Sequence, residues 1–148
     1  MFKPKKILVP TDFSEYSDKA LQKALDIAKE EGSEIFLFHV IHEDFQTCVV
    51  DYCFTVDEIE AIKGRMFKGA TENMQKELDK LSLSKEVKVS TDVRNGIPYE
   101  EILKFQEEKG VDLIVISSHG RSAIKTYLMG SVTSRVLKRA KCEVLLVK

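Results

Sequence analysis

The chain has 148 residues, 43% hydrophobic and 32% charged, with 23 basic against 24 acidic side chains and a formal net charge of −1. That is enough chain for one domain with a buried core, here 1–148, and too apolar for extended disorder. The balanced charge gives no ground for a nucleic-acid or membrane partner, no apolar run reaches the ~20 residues of a bilayer helix, and three cysteines make no disulfide framework. A cytoplasmic location is therefore expected.

The opening MFKPKKILVP places basic residues before an apolar patch, as a secretion signal does, but the patch is short and runs into Pro-Thr-Asp. Lys6 to Pro10 is read instead as a first strand. From Ser14 the period changes: Ala20, Leu21, Ala24, Leu25 and Ala28 recur at helical spacing until Gly32 closes the run. Glu34 to Val40 is nearly continuous in apolar residues, the pattern of a strand covered on both faces.

The next stretch, 41–57, has no clean period and is read as a variable loop. From Asp57 a helical stripe runs through Ile59, Ile62, Met66, Ala70, Met74, Leu78 and Leu81, with a charge-rich face that reads as solvated. Glu86 to Val93 alternates like a strand near a sheet edge. Asn95-Gly96-Ile97-Pro98 turns into a helix that Gly110 ends. VDLIVIS is the most hydrophobic strand, Ser131 to Ala140 a helix, and Cys142 to Val147 the last strand.

Alternating strands and helices predict an α/β fold: a doubly wound, five-stranded parallel sheet in the order 3-2-1-4-5, with helices on both faces. Such sheets bind ligands outside the carboxyl ends of the strands where the winding reverses. Two strand ends carry small and polar residues there, Pro10-Thr11-Asp12 and Ser117-Ser118-His119-Gly120.

The second of these opens the stretch SSHGRSAIKTYLMGS. Gly120 offers a positive φ and a backbone without Cβ, and Gly130-Ser131 stands where a helix begins, so N–H groups and a hydroxyl become donors for an anion. Arg121 and Lys125 add charge, and Ser122 adds a hydroxyl. The same residues also suit an ordinary loop with an N-cap, and Asp12 suits a cap near Ser14. His39, His42, Cys48 and Cys53 crowd one window, but their spacing matches no standard zinc motif, and no metal site is expected.

ILVPTDFSEYSDKAL, VDLIVISSHGRS and MGSVTSRVLKRAKCEVLLVK resemble, in order and across nearly the whole chain, the universal stress protein family. The resemblance implies an adenine-nucleotide α-hydrolase-like fold. Nucleotide-binding members of that family carry Gly-x2-Gly-x9-Gly-(Ser/Thr) after the fourth strand. Here Gly120 and Gly130-Ser131 match, while Ser117 replaces the first glycine. If that position required a positive φ, serine would cost on the order of 1 kcal/mol.

What the resemblance implies is ATP or AMP, with or without Mg²⁺, in the crevice. Pro10, Thr11 and Asp12 would lie by the adenosine and Val40 by the adenine edge. Ser117, His119, Gly120, Arg121, Ser122, Gly130, Ser131 and Val132 would surround the phosphates. It also implies a homodimer along the strand 142–147. The function expected is an adenine-nucleotide-binding stress-response or signalling module with no catalytic residues. A slow ATPase or other nucleotide-dependent enzyme, and a dimerisation module with an empty crevice, stand as alternatives. Adenylyl-transferring relatives carry a His-x-Gly-His signature near the first strand, which Pro10 to Phe13 lacks.

Overall fold

Among the described residues, two helices carry side-chain N-caps and two end at left-handed glycines. The structure, a computed structural model, describes residues 1–42, 54–81, 85–120 and 129–148. After strand β1 (Lys6–Pro10), helix α1 (Glu15–Glu31) begins at Ser14, whose hydroxyl accepts the Ser17 N–H. It ends at Gly32, in the left-handed region at φ 72°, a conformation that favours glycine. Strand β2 (Glu34–His42) follows, then helix α2 (Val56–Lys80), held by a reciprocal capping box between Thr55 and Glu58. Strand β3 (Val89–Gly96) leads to helix α3 (Pro98–Lys109), which has Pro98 in its first turn and Gly110 at φ 63° beyond its end. Strand β4 (Leu113–Ser117), helix α4 (Ser131–Arg139) and strand β5 (Glu143–Val147) complete the chain.

All strand pairs are parallel and the order is β3-β2-β1-β4-β5, as expected. Alternation along each strand splits the core into two layers. Ile7, Val9, Ile35, Leu37 and Val115 pack beneath Leu21 and Leu25 of α1 and Ala70 and Met74 of α2. Leu8, Phe38, Ile114 and Ile116 meet Ile102 and Phe105 of α3 and Val136 of α4 on the other face. Burial of each such Val, Leu, Ile, Met or Phe side chain contributes ~1.5–3 kcal/mol.

Two strand boundaries differ from expectation because of a partner distant in sequence. β2 runs on to His42, into the segment read as loop, because Ile41 and His42 pair with Asn95 and Gly96. For the same reason β3 is shifted forward to Val89–Gly96 and takes in the Asn-Gly read as a turn, although it is an edge strand as expected. Helix α2 starts at Val56, and its buried residues are Ala70 and Met74 of the expected stripe and Glu77 beside it, while Met66 stays 41% exposed. A helix of 25 residues is ~37 Å long, whereas the 8 residues of β3 span ~26 Å, so the helix outruns the sheet it covers.

Candidate functional site

The winding reverses between β1 and β4, whose carboxyl ends open side by side. On the β1 side the Thr11 N–H donates to Phe38 O at 2.8 Å, and its hydroxyl pairs with that of Ser17 at 3.0 Å. Asp12 Oδ1 accepts the Ser14 N–H at 3.0 Å, so the carboxylate is set by the turn into α1 while Ser14 caps the helix. Phe13 is the one non-glycine residue with positive φ (64°) among the described residues, a strain on the order of 1 kcal/mol or more. Its ring lies 4.5 Å from that of His39, whose Nδ1 is 2.8 Å from Thr11 O. A carbonyl only accepts, so Nδ1 carries the proton and donates it there.

The β4 side is tied to α4. Thr133 donates its hydroxyl to Ser117 O at 2.8 Å, the Gly130 N–H donates to Ser118 O at 2.9 Å, and the Ser118 N–H reaches Val147 O at 2.8 Å. The Ser117 hydroxyl turns into the loop and donates to His119 O at 2.8 Å. Ser118 Oγ lies 2.8 Å from His119 Nδ1, and the His119 ring is 5.6 Å from that of Tyr16.

Three readings of the glycine stretch change accordingly. Gly120 has no positive φ; its glycine is required by space, because a Cβ there would stand 2.5 Å from Asp12 Oδ2. The Gly130 N–H is already engaged and is no donor for a ligand. Ser117 is not at positive φ either, so serine in place of glycine carries no backbone strain.

Between these walls lies a cavity of about 280 Å³. Pro10, Thr11, Asp12, Val40, Ser117, His119, Gly120, Gly130, Ser131 and Val132 all line it. Arg121 and Ser122 lie outside the described residues, as do Lys125, Cys48 and Cys53. Sequence reading missed Ser17, Phe38, His39, Pro98, Ile102, Ile116 and Thr133. Phe38, Ile102 and Ile116 carry the pattern of core residues, and nothing local marks the end of the core they face. Thr133 had a signal: it is a polar residue in the first turn of a helix that opens at the site.

The cavity is two-sided in chemistry. Phe38, Val40, Pro98, Ile102, Ile116 and Val132 make an apolar wall. The Asp12 carboxylate and the start of α4 line the same cavity, and the N-cap of that helix, Gly130, makes no side-chain cap. The N–H groups of Ser131, Val132 and Thr133 have no acceptor within their own helix, and the helix dipole adds partial positive charge there. Among the described lining residues Asp12 is the sole carboxylate and none is Lys or Arg. No group of three or more His, Cys, Asp or Glu is placed to hold a metal among the described residues. Cys142 lies elsewhere, its thiol pushed up to about 11 by burial and by Asp112 and Glu143, which keeps it from acting as a thiolate.

No helix among the described residues is long and apolar enough to cross a membrane. The model of the universal stress protein family matches residues 3–148. Universal stress protein MJ0577 of Methanocaldococcus jannaschii is 37% identical over 97% of this chain and 94% of its own length. The solved structure of MJ0577 superposes with a TM-score of 0.85 at 35% identity, covering 99% of this chain and 97% of that one. A universal stress protein solved in complex with cAMP shares the fold at 20% identity, with a TM-score of 0.71 over 99% of this chain and 98% of its own. With the family model matched from Lys3 to the last residue, and a relative this similar over nearly its full length, the chain belongs to the universal stress protein family.

Proposed function

We propose that the cavity binds an adenine nucleotide, ATP or AMP, and that the protein is a stress-response or signalling module whose bound state is read through dimer or partner contacts. The observation that carries this reading is the start of α4, whose N-cap Gly130 makes no side-chain cap, lining one cavity together with Asp12 and an apolar wall. A nucleotide has three parts with matching needs. Its base is a flat, largely apolar surface suited to the wall of Val40, Ile102 and Val132. Its ribose hydroxyls donate, which suits the Asp12 carboxylate. Its phosphates take backbone N–H groups at a helix start. A carboxylate repels phosphate, so Asp12 belongs to the nucleoside end. The family relative that binds cAMP supports an adenine nucleotide on this fold. Arg121 and Ser122 are proposed to complete the phosphate end, and Mg²⁺ to arrive with the nucleotide.

Hydrolysis is expected to be slow, since the described lining offers one carboxylate and no second to pair with it for acid–base work. Dimerisation is proposed along β5, an edge strand whose Val144, Leu145, Leu146 and Val147 are only half-buried. Calorimetric titration with ATP, AMP and GTP, with and without Mg²⁺, tests the reading. Saturable binding of ATP or AMP in preference to GTP is expected, and no heat of binding at millimolar ATP overturns it. Phosphate release faster than about 1 per second would move the protein among enzymes.

A further inference from the structure

Away from the cavity, two carboxyl groups meet across the sheet face that α1 and α2 share: Asp18 in the first turn of α1 and Glu77 in the last turns of α2. Glu77 is 5% exposed, on a helix face that the sequence marks as solvated. Asp18 Oδ1 is buried and has no hydrogen-bond donor among the described residues. Two ionised carboxylates in contact repel, and a buried acceptor without a donor is costly; a single proton between them removes both penalties. The helix dipoles decide which oxygen holds it. The start of α1 favours a negative charge on Asp18, whereas the end of α2 disfavours one on Glu77.

We propose that Glu77, in its protonated form, donates to Asp18 Oδ1, forming a latch between the end of α2 and the start of α1 that opens when Glu77 ionises. Burial first, then the hydrogen bond and charge of Asp18, push the Glu77 carboxyl up to about 7 from an ordinary 4.5. Lys80, 3.7 Å from Glu77 Oε1 and largely exposed, acts in the opposite sense. From the sheet beneath, β2 presents His39 to this face, where its ring is engaged with Thr11 and Phe13, and β3 presents Val89, Thr91 and Val93, none of which titrates. A carboxyl raised in the folded state holds its contribution fully below about 4.5 and loses it as pH rises through about 7. The latch is therefore closed in acid and opens as pH rises through neutrality. It sits one residue from Ser17, whose hydroxyl holds Thr11 in the cavity wall.

The test is a ¹³C NMR titration of the Glu77 carboxyl in the full chain, with urea unfolding of wild type and Glu77→Gln from pH 5 to 9. Gln donates to Asp18 at every pH. The Glu77 resonance is expected to titrate near 7, and the ratio of the two unfolding constants to change on the order of a hundredfold across the window. In Asp18→Asn the Glu77 midpoint falls, because the partner charge is gone and an amide donor faces the carboxylate. A Glu77 midpoint near 4.5, a pH-independent ratio, or a midpoint unmoved by Asp18→Asn overturns the latch. If Glu77→Gln does not fold, the titrations of wild type and Asp18→Asn decide the matter.

Discussion

The two glycines at the cavity differ in what they tolerate, and Gly120→Ala separates them. The new Cβ would fall 2.5 Å from Asp12 Oδ2 and 3.6 Å from its Cγ, well inside ordinary contact with the oxygen. The backbone at 120 is not at positive φ, so the whole penalty is steric. Asp12 is not free to swing aside, since its other oxygen accepts the Ser14 N–H at 3.0 Å where α1 begins. Either the loop after β4 shifts, at the ~1–3 kcal/mol of an overpacked site, or the carboxylate rotates and gives up a charge-assisted hydrogen bond worth ~1.5–3 kcal/mol. Stability should drop by about 1–3 kcal/mol on either route, and a nucleotide held by Asp12 should bind roughly tenfold or more weakly. Gly130→Ala is the control: its Cβ would meet Ser118 O at 3.7 Å and Thr133 Oγ1 at 3.9 Å, ordinary contacts, at a φ of −58° open to any residue. It should cost below about 1 kcal/mol, the scale of a changed N-cap. Urea unfolding and calorimetric ATP titration of both variants make the comparison. Equal stability and equal affinity in the two would refute the wedge between Gly120 and Asp12.

Thr133→Val keeps the shape but strips the donor from Ser117 O, a bond of 2.8 Å in a buried setting, and should cost ~1–3 kcal/mol by chemical denaturation; a neutral result would mean that carbonyl finds another donor. Ser117→Gly restores the family glycine, yet it relieves no strain and loses the hydroxyl bond to His119 O. It should lower stability by ~1 kcal/mol without tightening ATP binding, and a tenfold gain in affinity would show that the serine obstructs the site. Cys142, with its thiol near 11, should react with iodoacetamide at pH 8 at least roughly tenfold more slowly than a model thiol, as followed by mass spectrometry of its own peptide; an equal rate would contradict its burial.

Much of this architecture is written locally. Runs such as KILVP and LIVIS have one good way to be buried, as strands covered on both faces, and the 3.6-residue spacing of Ala20 to Ala28 leaves one face for a helix to bury. Gly32 and Gly110 stop helices because their conformation is a property of the residue alone. The residues at the carboxyl ends of β1 and β4 were legible for the same reason: small and polar side chains interrupt apolar strands at a place defined by topology. Other features depend on partners far along the chain, and no local pattern encodes those. β2 lengthens and β3 shifts forward because each supplies the other's hydrogen bonds. The first half of α2 stays exposed because the sheet beneath it is shorter than the helix. Gly120 is needed because Asp12, 108 positions earlier, fills the space of its side chain, not because its backbone is strained. Glu77 looks like any surface glutamate until α1 is laid against it, and burial beside Asp18 then changes which form of the acid is stable.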